Sequence, residues 1–395
     1  MRHTGVARRL GLVGTVGGLA LAMAACSSSS SGGSASGSAG SDIKMGVVLD
    51  ITGVGANLGV PEKQTIEMLA DQVNAAGGVN GRKIKLSIED DTSTEDGAAK
   101  AMSKLLNTEK VDIILGASRT GPSLAMRPMA EQAKKPMISL SANLSIVKDA
   151  TWVFKTAQND SVVLEKMIDD MKAKGITKVS LLRDASAFGE GISEMFTDLS
   201  KNAGISLVQV EKFATNATDF TAEMVKVRDT APQALIIWGI PPAAGVAQAA
   251  AKRLLPPAVQ LYQSHGIGTP AFFDAAGDAG DGLRAPLGRL LVADQLPDDD
   301  PQKKILTKFI ADFKAKYNAS PSTFAGHAYD GFWIAVEAMK KAGTDPQKLR
   351  DAIEATSNWA GVSGVFTMSP KDHAGLTKDA LKMVTVSNKT WKLAS

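Results

Sequence analysis

The chain has 395 residues, 44% of them hydrophobic and 22% charged, with a formal net charge of +3, one cysteine and four histidines. This length is enough for two domains with proper cores, and a lone cysteine excludes a disulfide within the chain. The positive balance comes from Arg2, Arg8 and Arg9. The rest of the chain is neutral and has no basic cluster interleaved with aromatics, so nucleic-acid binding drops out.

In chain order, the first feature is an apolar stretch over 10–23, preceded by those arginines and followed by Ala24 and Ala25. It is too short to span a bilayer, glycine dilutes it and no basic stop follows, which describes a cleaved signal peptide (residues 1–25). Arg8-Arg9 leaves both general and twin-arginine export open. Cys26 then precedes a tract of only Ser, Gly and Ala over 27–41, a flexible coil with a reach of roughly 20 Å. A catalytic or metal-bound thiol needs ordered surroundings, which this tract does not offer.

From Asp42 the pattern becomes strand, helix, strand, helix. "IKMGVVL" reads as a buried strand, 61–74 as a helix opened by Pro61, "KIKLSIED" as a strand and 95–109 as a helix. "VDIILGA", a helix over 122–134 and "PMISLSA" complete a first half. After "WVFKTAQND" the rhythm restarts, with strands "KVSLLRD", "ISLVQVEKF", "ALIIWG" and "AVQLYQS" separated by helices over 161–174, 189–202, 219–228 and 241–254. Short apolar strands alternating with amphipathic helices argue parallel sheets covered on both faces.

The tail reads as a strand "RLLVADQLP", helices over 302–317, 322–341 and 346–355, "GVFTMS", and a hairpin-like pair "ALKMVTVSN" and "KTWKLAS". It has too few strands to close a sheet alone and therefore completes the two earlier halves. The expectation is an α/β protein of two doubly wound lobes joined by a hinge with several crossings. Lobe 1 would comprise 42–157 plus about 290–362, and lobe 2 about 158–289 plus 363–395.

Little here supports catalysis. "GVGANLG" after the first strand is one residue off the dinucleotide fingerprint, so it reads as a glycine turn at a crevice, with no nucleotide cofactor. "EDD" at 89–91 places consecutive carboxylates in different directions, the pattern of a solvated strand end. After the leader only His265, His327 and His373 remain, and neither G-x-S-x-G nor H-E-x-x-H occurs. No metal, cofactor or enzyme activity is expected, with an exported hydrolase the weaker alternative.

The strand-to-helix junctions do carry chemistry. "GASRTGPSLAM" supplies Ser118, Thr120 and Ser123, and "SLSAN" supplies Ser139, Ser141 and Asn143. Hydroxyls and free N–H groups at such junctions form an anion site, helped by the helix dipole, although ordinary N-capping accounts for some of them. Two such segments on neighbouring strand ends favour a small carboxylate.

These stretches, with "DQVNAAGGVNGRKIKLSIEDD", "FGEGISEMF" and "AYDGFWIAVEAM", resemble the Leu/Ile/Val-binding type of solute-binding protein, which serves ABC importers and has the periplasmic-binding-protein type I fold. "MAAC" similarly resembles a bacterial lipobox, with Cys26 as the lipidated first residue of the mature chain. The resemblance spans 42–395. It implies a ligand held between the lobes of a monomer, handed to a membrane permease, with the lipid as the only membrane contact; a sensor of the same fold is the alternative. It places Asn57, Leu58, Ser118, Arg119, Thr120, Ser141, Ala142 and Asn143 on the first-lobe side of the pocket, and Phe188, Ile240 and His265 on the second. Thr120 would grip a carboxylate, Leu58 would form a wall, and Phe188 would cover the ligand. His265 stands where amino-acid binders of this type carry an acid for the α-ammonium. Together with Arg119, if that side chain faces the cleft and not the surface, it tilts the expected ligand away from amino acids, towards an organic acid or amide.

Overall fold

The computed structural model describes residues 41–394, so the leader, Cys26 and all but the last residue of the linker lie outside it. Two parallel sheets organise these residues. The first contains β1 (Ile43–Leu49), β2 (Ile84–Asp90), β3 (Ile113–Gly116), β4 (Met137–Ser139) and β5 (Val153–Lys155), in the order β2-β1-β3-β4-β5. Its interior strands β1 and β3 are near-continuous apolar runs because both faces are covered, whereas the edge strand β2 is only part-buried. One face packs on α1 (Ala56–Ala75) and, from the tail, on α9 (Lys303–Tyr317), α10 (Thr323–Ala342) and α11 (Pro346–Glu354). The other packs on α2 (Glu95–Lys104) and α3 (Thr120–Ala133).

The second sheet contains β6 (Lys178–Asp184), β7 (Ser206–Phe213), β8 (Ala234–Trp238), β9 (Gln260–Gln263) and β10 (Arg284–Gly288). It is flanked by α4 (Asp160–Ala173), α5 (Ile192–Ser200), α6 (Thr221–Asp229), α7 (Ala243–Leu254) and α8 (Pro270–Ala276). The tail supplies a small ribbon, β11 (Trp359–Ala360) with β12 (Val365–Phe366), and the hairpin β13 (Leu381–Ser387) with β14 (Thr390–Leu393). The order is β14-β13-β10-β9-β8-β6-β7, parallel from β7 to β10 and antiparallel beyond.

Three sequence expectations change. Residues 289–295 form a 3-10 segment, and the strand is β10 just before it. Pro286 lies within β10, opposite Met383, and proline cannot donate to a ladder, so "RAPLG" did not read as an interior strand. Helix α1 begins at Ala56 and encloses Pro61, because the chain turns directly off β1 around Asp50. A Cβ on Gly55 would collide with the Asp50 carboxylate, and one on Gly59 with the Asp50 backbone, so close approach explains these two glycines better than unusual φ values. Finally, Phe366, Met368, Leu376 and Ala380 pack into the first core, so the last crossing falls at 380–381 and not at 362. Apolar side chains follow the surface that buries them, and those four find it on α10 and the first sheet.

The lobes are therefore joined at three places: between β5 and α4, after β10, and ahead of β13. Within the second lobe, Asp170 of α4 accepts hydrogen bonds from the Tyr262 hydroxyl (2.7 Å) and the Arg284 guanidinium (2.7 and 2.5 Å), pinning α4 to β9 and β10. Asp170→Ala removes the acceptor that both groups share at a largely buried site, and stability to urea should fall by about 3 kcal/mol.

Candidate functional site

The C-terminal ends of the parallel strands in both sheets converge on a cavity of about 700 Å³. This is where open α/β sheets place their ligands, opposite the point at which strand order reverses: between β1 and β3 in one lobe, and between β6 and β8 in the other. Leu58, Ser118, Arg119, Thr120, Ser141, Ala142, Phe188, Ile240 and His265 all line it, nine of the eleven residues expected from sequence.

Asn57 and Asn143 fall outside the lining. Asn57 sits in the first turn of α1, half-buried, with its Nδ2 enclosed and unpartnered. Asn143 caps a 3-10 turn by accepting from the Ser145 N–H (2.9 Å), and its Nδ2 reaches the Ala187 carbonyl in the second lobe (3.4 Å). It touches the opposite rim and leaves the space inside to others.

On the first-lobe wall the hydroxyls divide into two sets. Ser118 Oγ accepts from the Asp50 N–H (3.1 Å) and bonds Glu62 Oε2, while Ser123 Oγ bonds Ser139 Oγ (2.8 Å). These three serines brace the junction from within. Thr120 Oγ1 and Ser141 Oγ lie 3.1 Å apart at the cavity. Helix α3 has no side-chain cap, so the Thr120 and Gly121 N–H groups of its first turn keep their donor capacity at the positive end of the helix dipole. An anion placed there meets two N–H groups and two hydroxyls.

Arg119 contributes little net charge. Its Nε pairs with the fully buried Asp50, and its Nη2 donates to the Ser93 carbonyl. Burial pushes Glu62 well above its ordinary value, and burial and the Asp50 charge push Asp91 up to about 8.

The second-lobe wall is aromatic. Phe188, Trp238 and His265 pack edge to face or tilted, with ring centroids 5.5–5.9 Å apart. His265 Nε2 lies 4.0 Å from Asp160 Oδ1, and its Nδ1 is buried without a partner. Burial, then the nearby His327 and Lys155 charges, lower His265 to about 3, and His327 falls to about 3 for the same first reason. Both imidazoles are neutral. His327 Nδ1 bonds Ser363 Oγ (2.8 Å), linking the cavity to the loop between β11 and β12. Beneath the floor, buried Lys155 is pushed down and buried Asp160 up by desolvation, and each is pulled back by the charge of the other.

Sequence reading missed Asp184, Ser186 and Thr215 of the second lobe and Ser93, Phe324 and His327 of the first. Strand-end position alone marks Asp184 and Thr215, which follow "KVSLLR" and "EKFA". Nothing local marks Phe324 or His327, which α10 brings in from far along the chain.

Neutral buried imidazoles have a signature in the pH dependence of stability. Each releases its proton near pH 3 in the native state but near 6.5 when unfolded, so between these values the unfolded chain binds more protons. Their contribution is complete above pH 6.5 and is lost as pH falls. Unfolding in urea at pH 7 and pH 5 should show the double variant His265→Gln, His327→Gln losing less stability on acidification than the parent, by about 2 kcal/mol per imidazole.

Comparison with known proteins agrees with this architecture. Residues 42–390 match the family model described as periplasmic binding protein. The leucine-, isoleucine-, valine-, threonine- and alanine-binding protein of Pseudomonas aeruginosa is 28% identical over 325 residues, covering 81% of this chain and 84% of that one. An extracellular ligand-binding receptor from Rhodopseudomonas palustris HaA2 superposes with a TM-score of 0.83 at 27% identity, covering 89% of this chain and 99% of that one. The branched-chain amino acid transporter substrate-binding protein of Streptococcus pneumoniae, solved with isoleucine, shares the fold at a TM-score of 0.78 and 24% identity, over 89% and 98% of the two chains. Among the described residues no helix is long and apolar enough to cross a membrane. The chain belongs to the periplasmic binding protein family, with the type I fold.

Proposed function

We propose that this protein captures a small carboxylate-bearing solute between its lobes and delivers it, on closure, to the permease of an ABC importer. The hydrophobic amino acids and related organic acids or amides are the candidate class. The observation that carries this reading is the uncapped start of α3 beside the Thr120–Ser141 hydroxyl pair, facing an aromatic and aliphatic wall across one cavity. A carboxylate satisfies the first wall, and an apolar tail meets Phe188 and Ile240 of the second wall and Leu58 of the first. Closure follows from a ligand that binds the closed arrangement better than the open one, with three crossings acting as the hinge. The relative from Pseudomonas aeruginosa is a binding protein, which supports a role without turnover. Cys26 would carry the lipid that holds a monomer at the outer face of the membrane, with 27–41 as its tether.

Mass spectrometry of the solute retained by protein purified from its native host identifies the ligand, and that ligand should raise the melting temperature and reduce the radius of gyration. A folded protein that retains no solute and shows no shift with any amino acid or organic acid refutes the reading. Thr120→Ala and Ser141→Ala should each weaken binding about tenfold by calorimetry, the worth of one hydrogen bond to a charged group. Ser123→Ala, bonded internally, should lower stability with little change in affinity. Incorporation of labelled palmitate that persists in Cys26→Ser would remove the proposed anchor.

A further inference from the structure

The second-lobe wall lacks charge where His265 stands, and Asp160 behind it is sealed, with both oxygens enclosed and unpartnered. Asp184 differs from both. It ends β6, on the strand pair where the order of the second sheet reverses, and it lines the cavity although only 1% exposed. Its Oδ1 is fixed by Ser186, accepting from the backbone N–H at 3.0 Å and the hydroxyl at 2.7 Å. Among the described residues no hydrogen bond reaches Oδ2, which is not enclosed as the Asp160 oxygens are. A carboxylate with one oxygen anchored and the other open is preorganised to receive a cationic donor.

The surrounding charges leave this role to Asp184. Arg119 is balanced by Asp50, and Lys155 and Asp160 offset each other beneath the floor. His265 and His327 are neutral, and the rim residues Glu95, Asp96 and Glu190 add only negative charge. Burial pushes the Asp184 carboxyl up, and the hydrogen bonds from Ser186 and Gly189, together with the Arg119 charge, pull it back.

We infer that Asp184 is the specificity-determining acid of the cleft, accepting the ammonium of an α-amino acid whose carboxylate lies at the start of α3. This rests on the solute-binding reading above. It reverses the tilt towards organic acids that His265 and Arg119 imply by themselves, because the Arg119 charge is already spent on Asp50 and the missing acid stands two strands away from His265.

The test is calorimetric titration of the full chain with L-leucine and with 4-methylpentanoate, its counterpart lacking the ammonium. The parent should bind leucine at least about tenfold more tightly, the usual scale of a charge-assisted pair. Asp184→Asn should erase that preference and leave 4-methylpentanoate within about twofold of the parent. Ser186→Ala keeps the carboxylate but removes its hydroxyl anchor, and should reduce the preference by a smaller factor; it keeps the test open if the asparagine variant does not fold. Equal binding of the two probes by the parent, or a folded Asp184→Asn that keeps the full preference, overturns the assignment and leaves the solute-binding reading standing. Folded parent protein that binds neither probe overturns the hydrophobic-carboxylate reading and the assignment together.

Discussion

The buried ion pair between Arg119 and Asp50 is the constraint from which the first-lobe wall follows. It joins the end of β1 to the residue that precedes α3, while Arg119 also holds the carbonyl of Ser93 in the loop after β2. Three strand ends are thereby tied at one point. A fully buried carboxylate requires its partner, since removing either charge strands the other in a medium that solvates it poorly. Asp50 in turn dictates its neighbours: Gly55 and Gly59 must lack side chains for the chain to pass it, and α1 therefore starts at Ala56 with Leu58 turned to the cavity. Because the guanidinium is engaged, the anion-binding capacity of this wall lies in backbone N–H groups and hydroxyls, which hold no net charge of their own.

The opposite wall achieves a similar balance by other means. Phe188, Trp238 and His265 form a packed aromatic face whose imidazole is kept neutral by burial. Lys155 and Asp160 are sequestered beneath it near the crossing from β5 to α4, where a single charge would be expensive and a compensating pair is tolerable. The cavity thus presents few uncompensated charges, and the position of each decides what can enter. The crossing from β5 to α4 is continuous with this floor: Gln158 donates to the Ser363 carbonyl (2.8 Å) and His327 bonds the Ser363 hydroxyl, so that crossing is tied to the β11–β12 loop beside the site.

Much of this was legible in the sequence, and the exceptions have physical causes. Alternating apolar strands and amphipathic helices revealed two α/β lobes, because burial on both faces imposes that composition directly. Thr120 and Ser141 were legible as strand-end residues and Phe188 through the family resemblance, and all three line one cavity. Ser118 has the same residue type and the same junction, yet its hydroxyl is consumed by Asp50 and Glu62, partners 68 and 56 positions away. Asn143 reads as a donor to a ligand but serves a turn and the opposing rim. β10 was missed because Pro286 argues locally against an interior strand, and only its long-range neighbours β9 and β13 accommodate it.

The sequence by itself determined the layered α/β class, the two lobes, and the family features of residues 42–390, since these depend on hydrophobic period and on short motifs. The tertiary structure decided which polar groups remain available to a ligand. Charge compensation and hydrogen-bond satisfaction are properties of pairs far apart in the chain, and no local pattern reports whether Arg119 is free or spent, or whether one oxygen of Asp184 is open.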